Sequence, residues 1–252
     1  MVKLLVCDVD GTLLPYGKAA LPTDIADALL SAAEKGITLA IASGRAYTDL
    51  SELFSPLGSK RDDIYFISHD GALTVHRGKV LFHQAISMDS IRRFVQLYRD
   101  CPTLALYSAE NCYLLKGNSK FVKGNSTPIS NLFDIKEQIY KVAAYDDTLT
   151  PMQEPTFPIT GLRLCSKSSG CIEYVTSLAS KGTAVSDLQM RLFMNKLDTA
   201  AIGNYLNDVK MLKNAKYSAA MASSPEEVKA SALCTVDNAA DFIKWCITQT
   251  GK

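Results

Sequence analysis

The stretch Leu4-Leu5-Val6-Cys7-Asp8-Val9-Asp10-Gly11-Thr12-Leu13-Leu14 decides how the chain is read. The apolar segment Val2–Cys7 ends abruptly in a carboxylate, which predicts a strand buried on both faces of a parallel sheet. Asp8 and Asp10 stand two apart at its carboxyl end, and Gly11-Thr12 allows a sharp turn that exposes main-chain amides. Outward from here the pattern alternates. Thr23 is placed to cap a helix carrying Ile25, Leu29 and Ala32 at helical spacing, and Gly36 supplies its C-terminal turn. Ile37–Ala42 reads as a second buried strand, a helix follows Ser43-Gly44-Arg45, and Ile64–Ile67 reads as a third strand. Strand, helix, strand, helix, strand predicts right-handed βαβ units around an open parallel sheet.

The texture then changes. Ala72–Val75 and Val80–His83 flank Arg77-Gly78 as a hairpin would, and a helix from Ser87 carries Ile91, Phe94, Val95 and Tyr98 on one stripe. Tyr107 to Lys116 is rich in strand formers, Lys116–Ser126 is a polar loop, and Asp134–Ala143 is expected as a second helix. Leu162–Cys165 and Cys171–Thr176 are two further short strands. Beyond about residue 180 the alternation returns: helix Gly182–Leu192, strand Thr199–Ile202, short helix Asn207–Asn214, strand Tyr217–Met221. Ser224-Pro225-Glu226-Glu227 offers an N-cap, a proline at the first helical position and acids in the first turn. Leu233–Val236 closes as an edge strand before a helix over Ala239–Thr248. The expected architecture is a Rossmann-like parallel α/β core, residues 1–82 and 179–252, interrupted once by an α+β insert over residues 83–178.

Composition sets bounds on partners. Of 252 residues, 47% are apolar and 21% charged, an ordinary globular balance that excludes disorder, fibres and coiled coils. Lys and Arg number 27 against 26 Asp and Glu, a net charge of +1, so no nucleic-acid partner is expected. The opening apolar run is too short for a signal segment or membrane span, and a cytosolic protein without membrane association is the simplest expectation. Seven cysteines, with no C-x-x-C pair, read as reduced thiols. Oligomeric state is not readable.

In open α/β sheets, ligands bind beyond the carboxyl ends of the strands. Those ends carry Asp8-Val9-Asp10-Gly11-Thr12, Ser43-Gly44-Arg45, Ser68-His69-Asp70-Gly71 and Gly203-Asn204-Tyr205-Leu206-Asn207-Asp208, segments distant in sequence that would converge on one edge. Paired carboxylates at a buried strand end repel unless a cation compensates, and a hard, oxygen-liganded ion such as Mg²⁺ would do so. A carboxylate can also attack phosphorus. Taken alone, Asp-x-Asp-Gly is as compatible with a solvated turn.

The first segment, Asp8 to Leu14, resembles the leading motif of the haloacid dehalogenase-like (HAD) phosphatases. Ile41-Ala42-Ser43-Gly44-Arg45 is similar to their second motif, Lys181-Gly182-Thr183-Ala184 to the third, and Gly203–Asp208 to the fourth. The order, and the large insert between the second and third, resemble the Cof-like subfamily with a big α/β cap. The resemblance implies a Mg²⁺-dependent phosphatase acting on a small phosphorylated metabolite, such as a sugar phosphate or cofactor phosphate, beneath a closing cap. It implies Asp8 as nucleophile, Asp10 as general acid and base, Ser43 as a donor to the phosphoryl group, and Lys181 as its counter-charge. Gly44, Arg45, Asp70 and Gly71 fall on the substrate side; for Arg45, reaching substrate and bracing the loop stand equal. Asp8, Asp10, Asn204 and Asp208 form the implied metal set, with Asn207 orienting Asp208.

Two positions depart from the family pattern. Asn204 stands where the fourth motif has an Asp that ligates Mg²⁺, so the site loses one negative charge and should need more Mg²⁺. Asp70 stands where relatives tend to have Asn, and either restores part of that charge or caps a turn. Two other functions use the same residues: a phosphomutase, or a catalytically weak phosphoester-binding protein. In the insert, Lys116-Gly117-Asn118-Ser119-Lys120 and Lys123-Gly124-Asn125-Ser126 are expected as solvated loop, and Tyr107, Tyr113 and Phe121 as insert core.

Overall fold

The computed structural model describes residues 1–122 and 124–250. In chain order, β1 (Leu4–Asp8), α1 (Thr23–Glu34), β2 (Thr38–Ala42), α2 (Tyr47–Leu53) and β3 (Tyr65–Ser68) come first, then the hairpin β4 (Leu73–His76) and β5 (Lys79–His83). The middle carries α3 (Met88–Leu97), β6 (Thr103–Tyr107), β7 (Cys112–Lys116), β8 (Ser126–Pro128), β9 (Lys141–Tyr145), β10 (Leu162–Ser168) and β11 (Cys171–Thr176). The last part supplies α4 (Lys181–Arg191), β12 (Thr199–Gly203), α5 (Val209–Lys213), β13 (Tyr217–Met221), α6 (Glu226–Lys229), β14 (Cys234–Val236) and α7 (Ala239–Thr248).

Two sheets result. The first runs β14-β13-β12-β1-β2-β3-β4-β5. It is parallel from β14 to β3, and β4 and β5 extend it antiparallel. The unbroken apolar reading of β1 has a direct cause. Leu5 and Cys7 pack under α1 and α7, Leu4 and Val6 under α4 and α5, so both faces of the strand are covered. Each of Leu4, Leu5 and Val6 contributes about 1.5–3 kcal/mol relative to exposure. The second sheet, β10-β11-β9-β6-β7-β8, is antiparallel except for its β7–β8 edge. Here period two holds: Leu104 and Leu106 of β6 face Ile91 and Phe94 of α3, whereas Ala105 and Tyr107 face the other way. Ala72, Leu73 and Val75 of the first sheet's hairpin segment meet Tyr140, Val175 and Ala179, joining the two units.

Several expectations need correction. The helix expected over Asp134–Ala143 is absent: a single 3-10 turn, Leu132–Asp134, is followed by strand β9. Ile135, Ile139 and Val142 have helical spacing, but pairing with β6 and β11 on both sides overrides that local signal. Thr23 does not cap α1; Pro22 occupies the cap position in an extended conformation, and Thr23 is already helical. In α6 the frame shifts by one residue, with Pro225 at the cap and the helix starting at Glu226. No helix among the described residues is long and apolar enough to cross a membrane.

Candidate active site

The β1, β2, β3 and β12 ends converge, and their loops form one wall of a cavity of about 1140 Å³. The second sheet forms the other wall through Tyr107, Lys141, Tyr145 and Glu173. Asp8, Asp10, Ser43, Gly44, Arg45, Asp70, Lys181, Asn204 and Asn207 all line it. Gly71 and Asp208 lie immediately behind.

At the centre is a buried ammonium. Lys181 opens α4 and is only 2% exposed, because Ser180 caps the helix through Thr183 and turns the chain inward. Gly71, at φ +93°, lies against the Ser180 main chain so closely that any Cβ would strike it. Lys181 Nζ donates to Asp8 Oδ1 at 2.5 Å and Asp208 Oδ1 at 2.7 Å. Burial alone would depress this ammonium, yet Asp208, Asp8 and Asp70 outweigh it and hold Lys181 above the ordinary lysine value. For Asp8 the balance goes the other way. Burial first, then repulsion from Asp208, push its carboxyl up to about 7, against the pull of Lys181 and of Thr12. Thr12 Oγ1 donates to Asp8 Oδ2 at 2.8 Å, so each Asp8 oxygen has one donor.

Asp208 is fixed differently from the expectation. Its Oδ2 accepts the main-chain N–H groups of Asn204 at 2.9 Å and Tyr205 at 3.1 Å. Asn207 does not orient it: its amide donates to Asp70 Oδ1 at 2.7 Å. Asp70 is thus held in the cavity wall on a left-handed turn residue, φ +53°, and Asp70 N–H donates to the Ser43 carbonyl. The turn and site readings of Asp70 therefore coexist. Asn204 Nδ2 donates to the Tyr16 hydroxyl at 3.1 Å. Gly11, at φ +82°, lies so close beneath both that a Cβ would collide with Asn204 and Tyr16.

Arg45 forks onto Asp10, Nε to Oδ2 at 2.9 Å and Nη2 to Oδ1 at 2.6 Å. Ser43 Oγ accepts the Arg45 N–H at 3.2 Å, keeping the serine at the strand end, buried and facing the cavity. The Asp10–Arg45 pair had no signal in the sequence, since a guanidinium 35 residues away is linked to Asp10 only by the fold.

Asp8 and Asp208, with the Asn204 amide beside them, are hard oxygen donors of the kind Mg²⁺ takes. The repulsion between Asp8 and Asp208, which adds to burial in lifting Asp8, is what a divalent cation would relieve. The donors are not gathered in advance, however. Asp10 is turned onto Arg45, and no group of three or more His, Cys, Asp or Glu side chains among the described residues is arranged to hold an ion.

The insert's polar loop contributes little. Lys116 donates to the Arg99 carbonyl and Ser119 to Asp147, both away from the cavity, while Phe121, Gly124 and Asn125 reach it. Lys123 lies outside the described residues. Tyr113 belongs to the α3 side, bonded to Glu137, but Tyr107 and Phe121 face the cavity. Lys141, Tyr145 and Glu173 were missed. Tyr145 and Glu173 sit in alternating strand patterns; Lys141 was submerged in the wrongly expected helix.

A model of the haloacid dehalogenase-like hydrolases matches residues 5–242. Phosphatase YwpJ of Bacillus subtilis (strain 168) is 26% identical over 273 residues, spanning 92% of this chain and 93% of that protein. The 5-amino-6-(5-phospho-D-ribitylamino)uracil phosphatase YbjI of Escherichia coli (strain K12) is 22% identical over 244 residues, spanning 92% and 89%. A haloacid dehalogenase-like hydrolase from Bacteroides thetaiotaomicron shares the fold with a TM-score of 0.81 at 20% identity, covering 97% of this chain and 99% of that one.

Proposed function

The chain belongs to the haloacid dehalogenase-like hydrolases and is a phosphatase of that family, and on this premise we propose that it hydrolyses a small phosphomonoester through an aspartyl phosphate on Asp8. One observation carries the reading: a buried ammonium clamped between two carboxylates, Lys181 between Asp8 and Asp208, at the floor of a large cavity. A charge cluster that packing does not need is expensive unless it acts on a substrate.

In this reading an Asp8 oxygen attacks phosphorus as the bond from phosphorus to the leaving oxygen breaks, and Asp10 gives that oxygen its proton. Water then attacks the acyl phosphate, Asp10 takes up the water proton, and phosphate leaves with Asp8 regenerated. Thr12 steadies the Asp8 oxygen not bonded to Lys181, while Lys181 balances charge gathering on the phosphoryl group. Ser43 donates to a phosphoryl oxygen. Arg45 holds both Asp10 oxygens in the free protein, so an incoming phosphoryl group must draw it off before Asp10 can carry a proton. Asp8, Asp10, Asn204 and Asp208 would hold Mg²⁺, which supplies Lewis-acid stabilisation of the phosphoryl oxygens when bound. Asn204 brings no charge, so that affinity is weakened.

We assign residues 83–178 as the cap and 1–82 with 179–252 as the catalytic core. The second sheet, drawn from residues 103–176, supports this, as do two ties across the cavity. Lys141 donates to the Gly44 carbonyl, and His69 to the Ser108 carbonyl. A roof of this kind favours a small phosphorylated metabolite, a sugar or cofactor phosphate, over a macromolecule. The named substrate of the Escherichia coli relative, a phosphorylated ribityl compound, is of that size.

The test is hydrolysis of p-nitrophenyl phosphate with Mg²⁺ and with chelator, beside Asp8→Asn. Turnover that needs Mg²⁺ and falls by roughly a thousandfold or more in the variant is expected. Full activity in Asp8→Asn would remove the nucleophile assignment.

A further inference from the structure

The roof of the cavity holds a carboxylate that phosphoryl transfer does not use. Glu173 of β11 lies opposite Ala143 of β9, between Lys141 and Tyr145 on the same face. The small Ala143 leaves room for both neighbours to reach it. Glu173 Oε1 accepts from the Tyr145 hydroxyl at 2.7 Å and from Lys141 Nζ at 3.2 Å. Tyr145 in turn shares a hydrogen bond of 2.8 Å with Tyr107, and Lys141 Nζ stands 4.6 Å from the Tyr107 ring centre. Lys141 is 7% exposed and Tyr145 1%, so Glu173 is fixed by groups that cannot swing away. Its second oxygen, Oε2, takes no hydrogen bond among the described residues, and Glu173 lines the cavity.

Such an arrangement has a cost and a direction. A carboxylate whose one oxygen is saturated and whose other is free accepts hydrogen bonds and donates none. The surrounding charge sharpens this preference. Among the described residues, seven carboxylates line the cavity against four cations. Even with a divalent ion on the floor, the described lining carries one more negative charge than positive. A second anionic group on the substrate would meet repulsion there, whereas hydroxyls and ammonium groups would find acceptors.

We propose that Glu173 anchors the leaving group by accepting hydrogen bonds from its hydroxyl or ammonium groups. The preferred substrate is then a phosphomonoester of a polyhydroxylic or amine-bearing alcohol, not one that carries a carboxylate or a second phosphate. This rests on the phosphatase reading of Asp8.

The experiment compares kcat/KM of the full chain at saturating Mg²⁺ for glucosamine 6-phosphate, glucose 6-phosphate, 6-phosphogluconate and p-nitrophenyl phosphate. The amine and hydroxyl esters should exceed the phosphogluconate by roughly tenfold or more, the range of one charge-assisted hydrogen bond. In Glu173→Gln, glucosamine 6-phosphate relative to p-nitrophenyl phosphate should fall about tenfold, while phosphogluconate relative to p-nitrophenyl phosphate should rise. Opposite movement of two ratios is not what a purely structural role produces. Wild type favouring phosphogluconate, or both ratios unchanged in a folded Glu173→Gln, overturns the proposal. If that variant does not fold, the wild-type ranking decides. Turnover of no ester, p-nitrophenyl phosphate included, removes the phosphatase reading and this inference with it.

Discussion

Protonating His69 should loosen the junction between the two sheets, and the size of the effect follows from its surroundings. The ring is fully buried in the turn after β3, against Tyr107 and Tyr140, with Lys141 as the nearest cation. The Ser108 carbonyl can only accept, so Nε2 carries the hydrogen of their 3.3 Å bond, and buried Nδ1 is left without a partner. Burial, reinforced by Lys141, lowers the pKa from 6.5 to about 3. A depressed folded-state pKa gives stability that is present above about 6.5 and drains away as the pH falls toward 3. At pH 5 the unfolded chain has taken up the proton and the folded one has not, a difference of about 2 kcal/mol.

The control is His69→Asn, since asparagine tolerates the left-handed φ of +49° and keeps a donor for Ser108. Urea denaturation of both proteins at pH 7.5 and 5.0 measures the effect. Wild type should lose about 2 kcal/mol more than the variant, a difference of roughly 4–8 °C in melting temperature for a chain of this size. The comparison between proteins is needed because Asp8 slopes the other way. Its folded pKa of about 7 lies above the ordinary 3.8, so its contribution is full below 3.8 and is lost as the pH rises through 7. That contribution is common to both proteins and cancels in the difference. Equal pH slopes for wild type and variant would refute the reasoning.

Two further outcomes follow from the floor of the site. Lys181→Met leaves Asp8 and Asp208 buried and facing each other, which should cost about 3–5 kcal/mol in urea denaturation without metal, partly recovered on adding Mg²⁺. A loss under about 1 kcal/mol would mean the cluster carries little charge in the folded state. Asn204→Asp restores a charged donor beside Asp208, so Mg²⁺ should bind several-fold more tightly by isothermal titration calorimetry and saturate activity at lower concentration. Identical binding curves would show that position 204 does not meet the ion.

Most of the α/β framework was legible because its central strands are covered on both faces and their pattern survives without knowing the partner. β1 with Leu4, Leu5, Val6 and Cys7 is the clearest case, and the helix Ala239–Thr248 was placed to the residue. Asp134–Ala143 failed because its apolar spacing fits a helix until β6 and β11 flank it, information that lies in distant residues. The site divides in the same way. Asp8, Ser43 and Asp208 stand as polar residues in the segments that follow strands. Lys181 reads as an ordinary lysine at a helix start and is singled out only by the resemblance of Lys181-Gly182-Thr183-Ala184 to the family's third motif. The Asp10–Arg45 fork, the Asn207–Asp70 bond and the Glu173 network depend on which loops the fold brings together.

The central place of β1 also bears on how the protein is made. Its neighbour β2 follows within one helix, but its other neighbour, β12, pairs Thr199 with Leu4 and is translated only after everything between them. At ribosomal speeds of about 5–20 residues per second, that wait is on the order of ten to forty seconds. For most of it, the nascent chain holds Asp8 and Asp10 but not yet Lys181, Asp208 is still to come when it ends, and one edge of its most apolar strand is bare. A chain released early is therefore both inert and adhesive, and the fold gains its counter-charge and its last sheet partner in the same closing stretch of synthesis.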